Sequence, residues 1–124
     1  MEEKITYRLD QSNGILFKYY RGDITIEDIS SSWEHAIENQ SIPKETKGFI
    51  LDYTKATFKI KFNEYHLIAD FYKNHLDVFS NQKIAIVIDN PSDIVIPILV
   101  ESEDDGYTSR PFNTIDAAIA WVLS

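Results

Sequence analysis

The chain has 124 residues, no cysteine, and twelve Lys and Arg against twenty Asp and Glu, a formal net charge of -8. Its length predicts one domain over 1–124 with about 6,800 Å² of accessible surface when folded. Zero cysteines exclude disulfides, thiolate catalysis and thiolate metal sites. The negative field opposes phosphate backbones, so nucleic acid is not an expected partner.

Ile5, Tyr7 and Leu9 alternate with Thr6 and Arg8, the period of a half-buried strand. Asn13-Gly14 then supplies a tight reversal. The returning strand, 15–21, sets Ile15, Phe17 and Tyr19 on one face and Leu16, Lys18 and Tyr20 on the other, with Gly22-Asp23 expected to end it. Thr25 and Asp28 have the spacing of a capping box. Behind them Ile26, Ile29, Trp33, Ala36 and Ile37 form one helical stripe. A loop over 39–44 leads to a short strand, Phe49 to Leu51, predicted to end at Asp52-Tyr53.

From Ala56 to Phe62 apolar and polar residues alternate, which predicts an extended edge or a packed loop. Asn63 is positioned to cap a helix with Tyr65, Ile68, Tyr72 and Leu76 on one stripe and Phe71, His75 and Phe79 beside it. Ile84 to Ile88 is continuously apolar, as in a strand covered on both faces, and is predicted to lie at the centre of the sheet. Pro91, Ser92 or Asp93 opens a helix that is apolar all round from Ile94 to Val100, so it is either buried on several sides or presents an apolar face to a partner. Pro97 lacks an N–H, which predicts a late start to the regular helix or a bend near Ile96. Tyr107 to Phe112 reads as a strand, and Asn113 or Thr114 caps a last helix carrying Ile115, Ala118, Ile119 and Val122.

Strands separated by helices predict an α/β fold: a mainly parallel mixed sheet, an antiparallel N-terminal hairpin and about four helices. The segments Gly48-Phe49-Ile50-Leu51-Asp52-Tyr53, Lys83-Ile84-Ala85-Ile86-Val87-Ile88-Asp89 and Arg110-Pro111-Phe112-Asn113-Thr114, in this order of elements, resemble the SpoIIAA-like family, related to the STAS domains of anti-sigma-factor antagonists. The resemblance runs over nearly the full chain and implies a small sheet with helices against it, used as a protein-binding module. Phosphoregulated members carry a serine in an Asp-Ser-Ser-Gly or similar turn at the start of the second helix. The corresponding residues here, Phe58 to Glu64, contain no Ser, Thr or Gly, so the resemblance does not bring a phosphorylation switch with it.

No catalytic residue, cofactor or metal ligand is assigned. His35, His66 and His75 lack the spacing of a paired metal motif, although His66 and Asp70 are four apart. Glu101, Glu103, Asp104 and Asp105 do not follow a calcium-loop pattern. Lys55, Lys59 and Lys61 read as a solvated basic cluster.

Three functions remain open. The first is a non-catalytic interaction or regulatory module that binds a protein partner or forms a homo-oligomer. Its candidate interface residues are Tyr65, Phe71, Tyr72, Ile94, Ile98 and Leu99. The second is a binder of a lipid or other small apolar ligand, with the same residues, Tyr19 and Phe79 lining a cavity. The third is a hydrolytic or acid–base enzyme using Asp52 and Asp89, with Asp93 nearby, in a crevice at the strand exits. The opening MEEKITYRLD has no basic region followed by an apolar run, and the longest apolar stretch falls far short of the roughly 20 residues of a membrane span. No signal peptide and no stable membrane insertion are expected, and the expected location is cytoplasmic.

Overall fold

Alternation and turn chemistry start the fold locally. In the computed structural model, which describes residues 3–124, β1 (Ile5–Asp10) and β2 (Ile15–Ile24) pair antiparallel, with Ile5 opposite Tyr20 and Asp10 opposite Ile15. Met1 and Glu2, which open the segment read as lacking a signal peptide, lie outside the described residues. Gly14 takes a left-handed φ of 77° at the reversal. Asn13 contributes a side chain instead, its Oδ1 accepting from the Ile15 N–H at 3.0 Å.

Three further strands, β3 (Gly48–Phe58), β4 (Lys83–Val87) and β5 (Thr108–Phe112), join in parallel to give the order β1-β2-β3-β4-β5. This is the predicted mixed α/β architecture. The middle strand is β3, however, and β4 lies one place from the edge, still covered on both faces. The accessible surface is 6900 Å², close to what the chain length predicts.

Both β2 and β3 run further than their sequences indicate. Gly22, at φ 76°, carries β2 on to Ile24, and β3 passes Asp52-Tyr53 to reach Phe58. A β-bulge allows this. The register steps from Tyr19 opposite Asp52 to Arg21 opposite Lys55, so Tyr20 faces both Tyr53 and Thr54. Asp52 Oδ1 accepts from the Thr54 N–H at 2.9 Å and from its hydroxyl at 2.7 Å, holding the extra residue. Inward parity then changes from Phe49, Leu51 and Tyr53 to Ala56 and Phe58. The alternation read from Ala56 to Phe62 is thus the same strand continued across a parity shift as far as Phe58, with residues 59–61 beyond it in no regular element.

Four helices cover one face of the sheet: α1 (Ile26–Glu38), α2 (Tyr65–Lys73), α3 (Leu76–Phe79) and α4 (Val95–Glu101). The capping box forms as predicted, with Thr25 Oγ1 accepting from the Asp28 N–H at 3.2 Å and Asp28 Oδ2 accepting from the Thr25 N–H at 2.9 Å. The long aromatic helix expected over 65–79 is two helices. His75 breaks it with φ -130° and ψ 43°, its Nδ1 is 2.9 Å from the Phe71 carbonyl, and its ring stacks on Phe71 at 4.2 Å. Asn63 makes no cap; Glu64 reaches back instead to accept from the Lys61 N–H at 2.7 Å.

Among the described residues the opposite face holds only α5 (Ile115–Val122), capped by Thr114, whose Ala118 and Val122 pack on Ile15, Phe17, Ile50, Ala85 and Val87. Gly48 lets this helix approach, since a Cβ there would collide with Val122 Cγ1. Gly48→Ala is expected to cost about 1–3 kcal/mol by overpacking. Val122→Ala in the same chain should recover part of that loss in urea unfolding.

Lys18 is the anomaly of the four-helix face. Fully buried, its Nζ donates to Ser32 Oγ at 2.7 Å and lies 3.6 Å from the Trp33 ring centroid. Burial holds this amine well below the ordinary lysine range, because the charged form is desolvated. Between its folded and unfolded pKa values the unfolded chain binds the extra proton, so stability rises with pH toward about 10.4. Tyr20, Tyr53 and Tyr72 are pushed upward by the same desolvation, so above about pH 10 unfolding releases their protons and stability falls. Urea unfolding at a series of pH values should show wild-type stability climbing as the pH rises toward ~9.5, by at most about 1.4 kcal/mol per pH unit. Lys18→Met should remove that slope.

Candidate functional site

The segment between β4 and β5 begins with a cap. Asn90 Oδ1 accepts from the Ser92 N–H at 3.1 Å and from its hydroxyl at 3.0 Å, with Pro91 in the first helical position. Asn90 therefore does the work expected of Ser92 or Asp93. One 3-10 turn, Pro91–Ile94, precedes α4, so the regular helix starts late and Pro97 falls in its first turn, where its missing N–H would have no intrahelical partner.

Helix α4 has no polar side chain between Val95 and Val100, yet it has an outside. Ile96, Pro97 and Val100 pack inward. Val95 and Ile98 are 36% and 48% exposed, and Ile94 and Leu99 flank them half-buried. The inward side meets α2 and the sheet around a cavity of about 20 Å³ lined by residues that include Tyr53, Tyr72, Ile86 and Ile96. That space holds about one water-sized sphere, whereas a drug-sized ligand takes about 300–1,000 Å³.

The candidate apolar residues divide between several places. Ile94, Ile98 and Leu99 share α4 and its preceding turn. Tyr72 is buried in the core, 4.9 Å from Phe79 and 5.2 Å from Tyr107 between ring centroids. Phe71 lies in an open groove between α1 and α2 with Ile26 and Leu67. Tyr65 is half-buried and edge-on to His66.

The candidate acids also part company. Asp52 organises the bulge and lines a crevice of about 270 Å³ with Thr6, Tyr19, Arg21, Thr54 and Lys55. Asp89 and Asp93 do not line that crevice; Asp89 is exposed beyond β4 and Asp93 sits half-buried in the 3-10 turn. Among the described residues no group of three His, Asp or Glu is placed to hold a metal ion. His35 Nε2 is 2.9 Å from the Asn39 amide nitrogen.

Asp104 was legible only as one member of an acidic run. Here it accepts from the Ser109 hydroxyl at 2.8 Å and from the Ser109 N–H, tying the end of α4 to β5. Burial pushes its carboxyl up despite those bonds. Glu101 and Glu103 sit near cations from other elements, Arg110 Nε at 3.6 Å and Lys73 Nζ at 3.4 Å.

No family model and no curated protein matches the chain. Among solved structures, it is similar to an uncharacterized protein of the DUF3478 family with a SpoIIAA-like fold from Shewanella loihica. That match has TM-score 0.63 and 15% identity, covering 95% of this chain and 91% of the other. It is also similar to the anti-sigma factor antagonist SpoIIAA in its unphosphorylated form, with TM-score 0.51 and 13% identity, covering 95% of this chain and 96% of that one. These likenesses show a SpoIIAA-like fold. Among the described residues no helix is long and apolar enough to cross a membrane.

Inward and outward positions of α4 should respond differently to the same change. Ile98→Gln is expected to alter stability by no more than about 0.5 kcal/mol, as for other surface sites. Ile96→Gln, which buries an amide without partners, should cost about 2 kcal/mol or more. Urea midpoints of the two variants measure the contrast.

Proposed function

We propose that the chain is a non-catalytic interaction module whose contact face is the outer side of α4. The observation that carries this reading is the exposure of Val95 and Ile98 on a helix with no polar side chain between its first residue and Val100. A helix packed on one side normally turns polar residues to water on the other. An apolar outer face is a feature of surfaces that are covered in use. Fold likeness to an anti-sigma factor antagonist agrees with a role exercised through binding another protein.

The apolar-ligand reading has less support, because the cavity behind α4 is far smaller than a lipid. The acid–base reading has less again, with Asp52 occupied at the bulge and Asp89 outside its crevice.

A photoreactive benzoyl-phenylalanine placed at Val95 or Ile98, and separately at the exposed control Glu38 on α1, tests the proposal in the cells that produce the protein. Discrete protein adducts from positions 95 and 98 but not from 38 are expected, including an adduct of twice the chain mass if copies associate. No adduct at 95 or 98, or equal adducts at all three, overturns it.

A further inference from the structure

The charge around α4 says what kind of protein suits it, given that the α4 face is the contact face. From Ile84 to Ser109 the chain contains six carboxylates, Asp89, Asp93, Glu101, Glu103, Asp104 and Asp105, and no Lys, Arg or His. They bracket the apolar ridge, with Asp89 and Asp93 before its N-terminal end and the other four at or beyond its C-terminal end. Glu101 and Glu103 are partly balanced by Arg110 and Lys73, and Asp104 is engaged with Ser109. Asp89, Asp93 and Asp105 make no ion pair among the described residues.

We infer that the occupant of the α4 face is a cationic amphipathic segment of another protein, apolar where it meets Val95 and Ile98 and bearing Lys or Arg on both sides. A second copy of this chain fits poorly. In a two-fold contact the patch meets itself, and the cations that one copy brings to the ridge of the other, Arg110 and Lys73, already face its own Glu101 and Glu103, leaving Asp89, Asp93 and Asp105 of both copies without a fresh partner. Seven residues of helix also span only about 10 Å, a length suited to a short helical or extended segment rather than to the broad face of a stable dimer. The rim acids would act on association rate and on partner choice, and the ridge on residence time.

The probes are two synthetic amphipathic helical peptides with the same leucine pattern, one carrying lysine and the other glutamate on the polar face. Binding is read by fluorescence anisotropy, with circular dichroism confirming that each protein variant is folded. The lysine peptide is expected to bind and to weaken as salt rises, while the glutamate peptide does not bind. Ile98→Gln, which leaves the net charge unchanged, should weaken binding about tenfold. The pair Asp93→Asn with Asp105→Asn should weaken it by a similar factor. The pair Glu34→Gln with Glu38→Gln, an equal change in charge on α1, should leave it within about twofold.

Equal loss from the α1 pair would mean attraction to bulk charge, and binding of both peptides would mean apolar adhesion; either overturns the inference. So does Ile98-dependent dimerisation in sedimentation velocity. If position 98 still yields protein adducts while the lysine peptide fails to bind, the charge assignment falls and the contact face stands. Absence of those adducts removes the contact face itself.

Discussion

Trp33 is where the parts of this molecule meet. Fully buried on α1, its ring stands 5.8 Å from Phe49 of β3, 5.2 Å from Phe79 of α3 and 6.3 Å from Tyr7 of β1, all edge-on, with the Lys18 amine of β2 against its face. Edge-to-face aromatic packing is directional as well as apolar, so this hub fixes how α1 and the hairpin sit on the sheet. Lys18 completes the cluster at an electrostatic cost that its aromatic surroundings and Ser32 only partly offset. The same burial holds the amine's pKa well below the ordinary lysine range.

The same crowding makes the molecule lopsided. Among the described residues four helices share the aromatic face, and α5 alone covers the other. On the crowded side α4 lies against α2 and β5, with Ile96 and Val100 reaching inward and Asp104 fastening its end to Ser109. Because inner contacts and the Asp104 tie already hold α4, its outer residues are free of a structural duty. Their apolar character is the ground of the proposed contact face. Of the acidic residues at its ends, Asp104 holds the chain to Ser109, whereas Glu101 stands at the end of α4 that an ordinary helix dipole would leave to a cation.

Much of this could be read from residue order. The strand period in β1 and β2, the capping box at Thr25 and Asp28 and the late start at Pro97 are local signals, and each appears in the fold as expected; the all-apolar β4 is covered on both faces as expected but is not the middle strand. The candidate site was half legible. Ile94, Ile98 and Leu99 stood out because no polar residue interrupts them, and they do lie on or beside the outward side of α4. Tyr72, grouped with them for its size, is in the core. Spacing along a helix says which residues share a face but not which neighbour will cover it.

What the sequence by itself determined is therefore the order of strands and helical regions and the mainly parallel topology, since periodicity, caps and turns act over a few residues. Only the tertiary structure decided the rest. The β-bulge at Tyr53 and Thr54 reverses strand parity so that Ala56 and Phe58 turn inward, the break at His75 frees Phe79 to reach Trp33, and the burial of Lys18 follows from α1 closing over it. The register of the bulge against β2, the approach of Phe79 to Trp33 and the contact of Lys18 with Trp33 join residues distant in the chain, and no short window of sequence contains both partners.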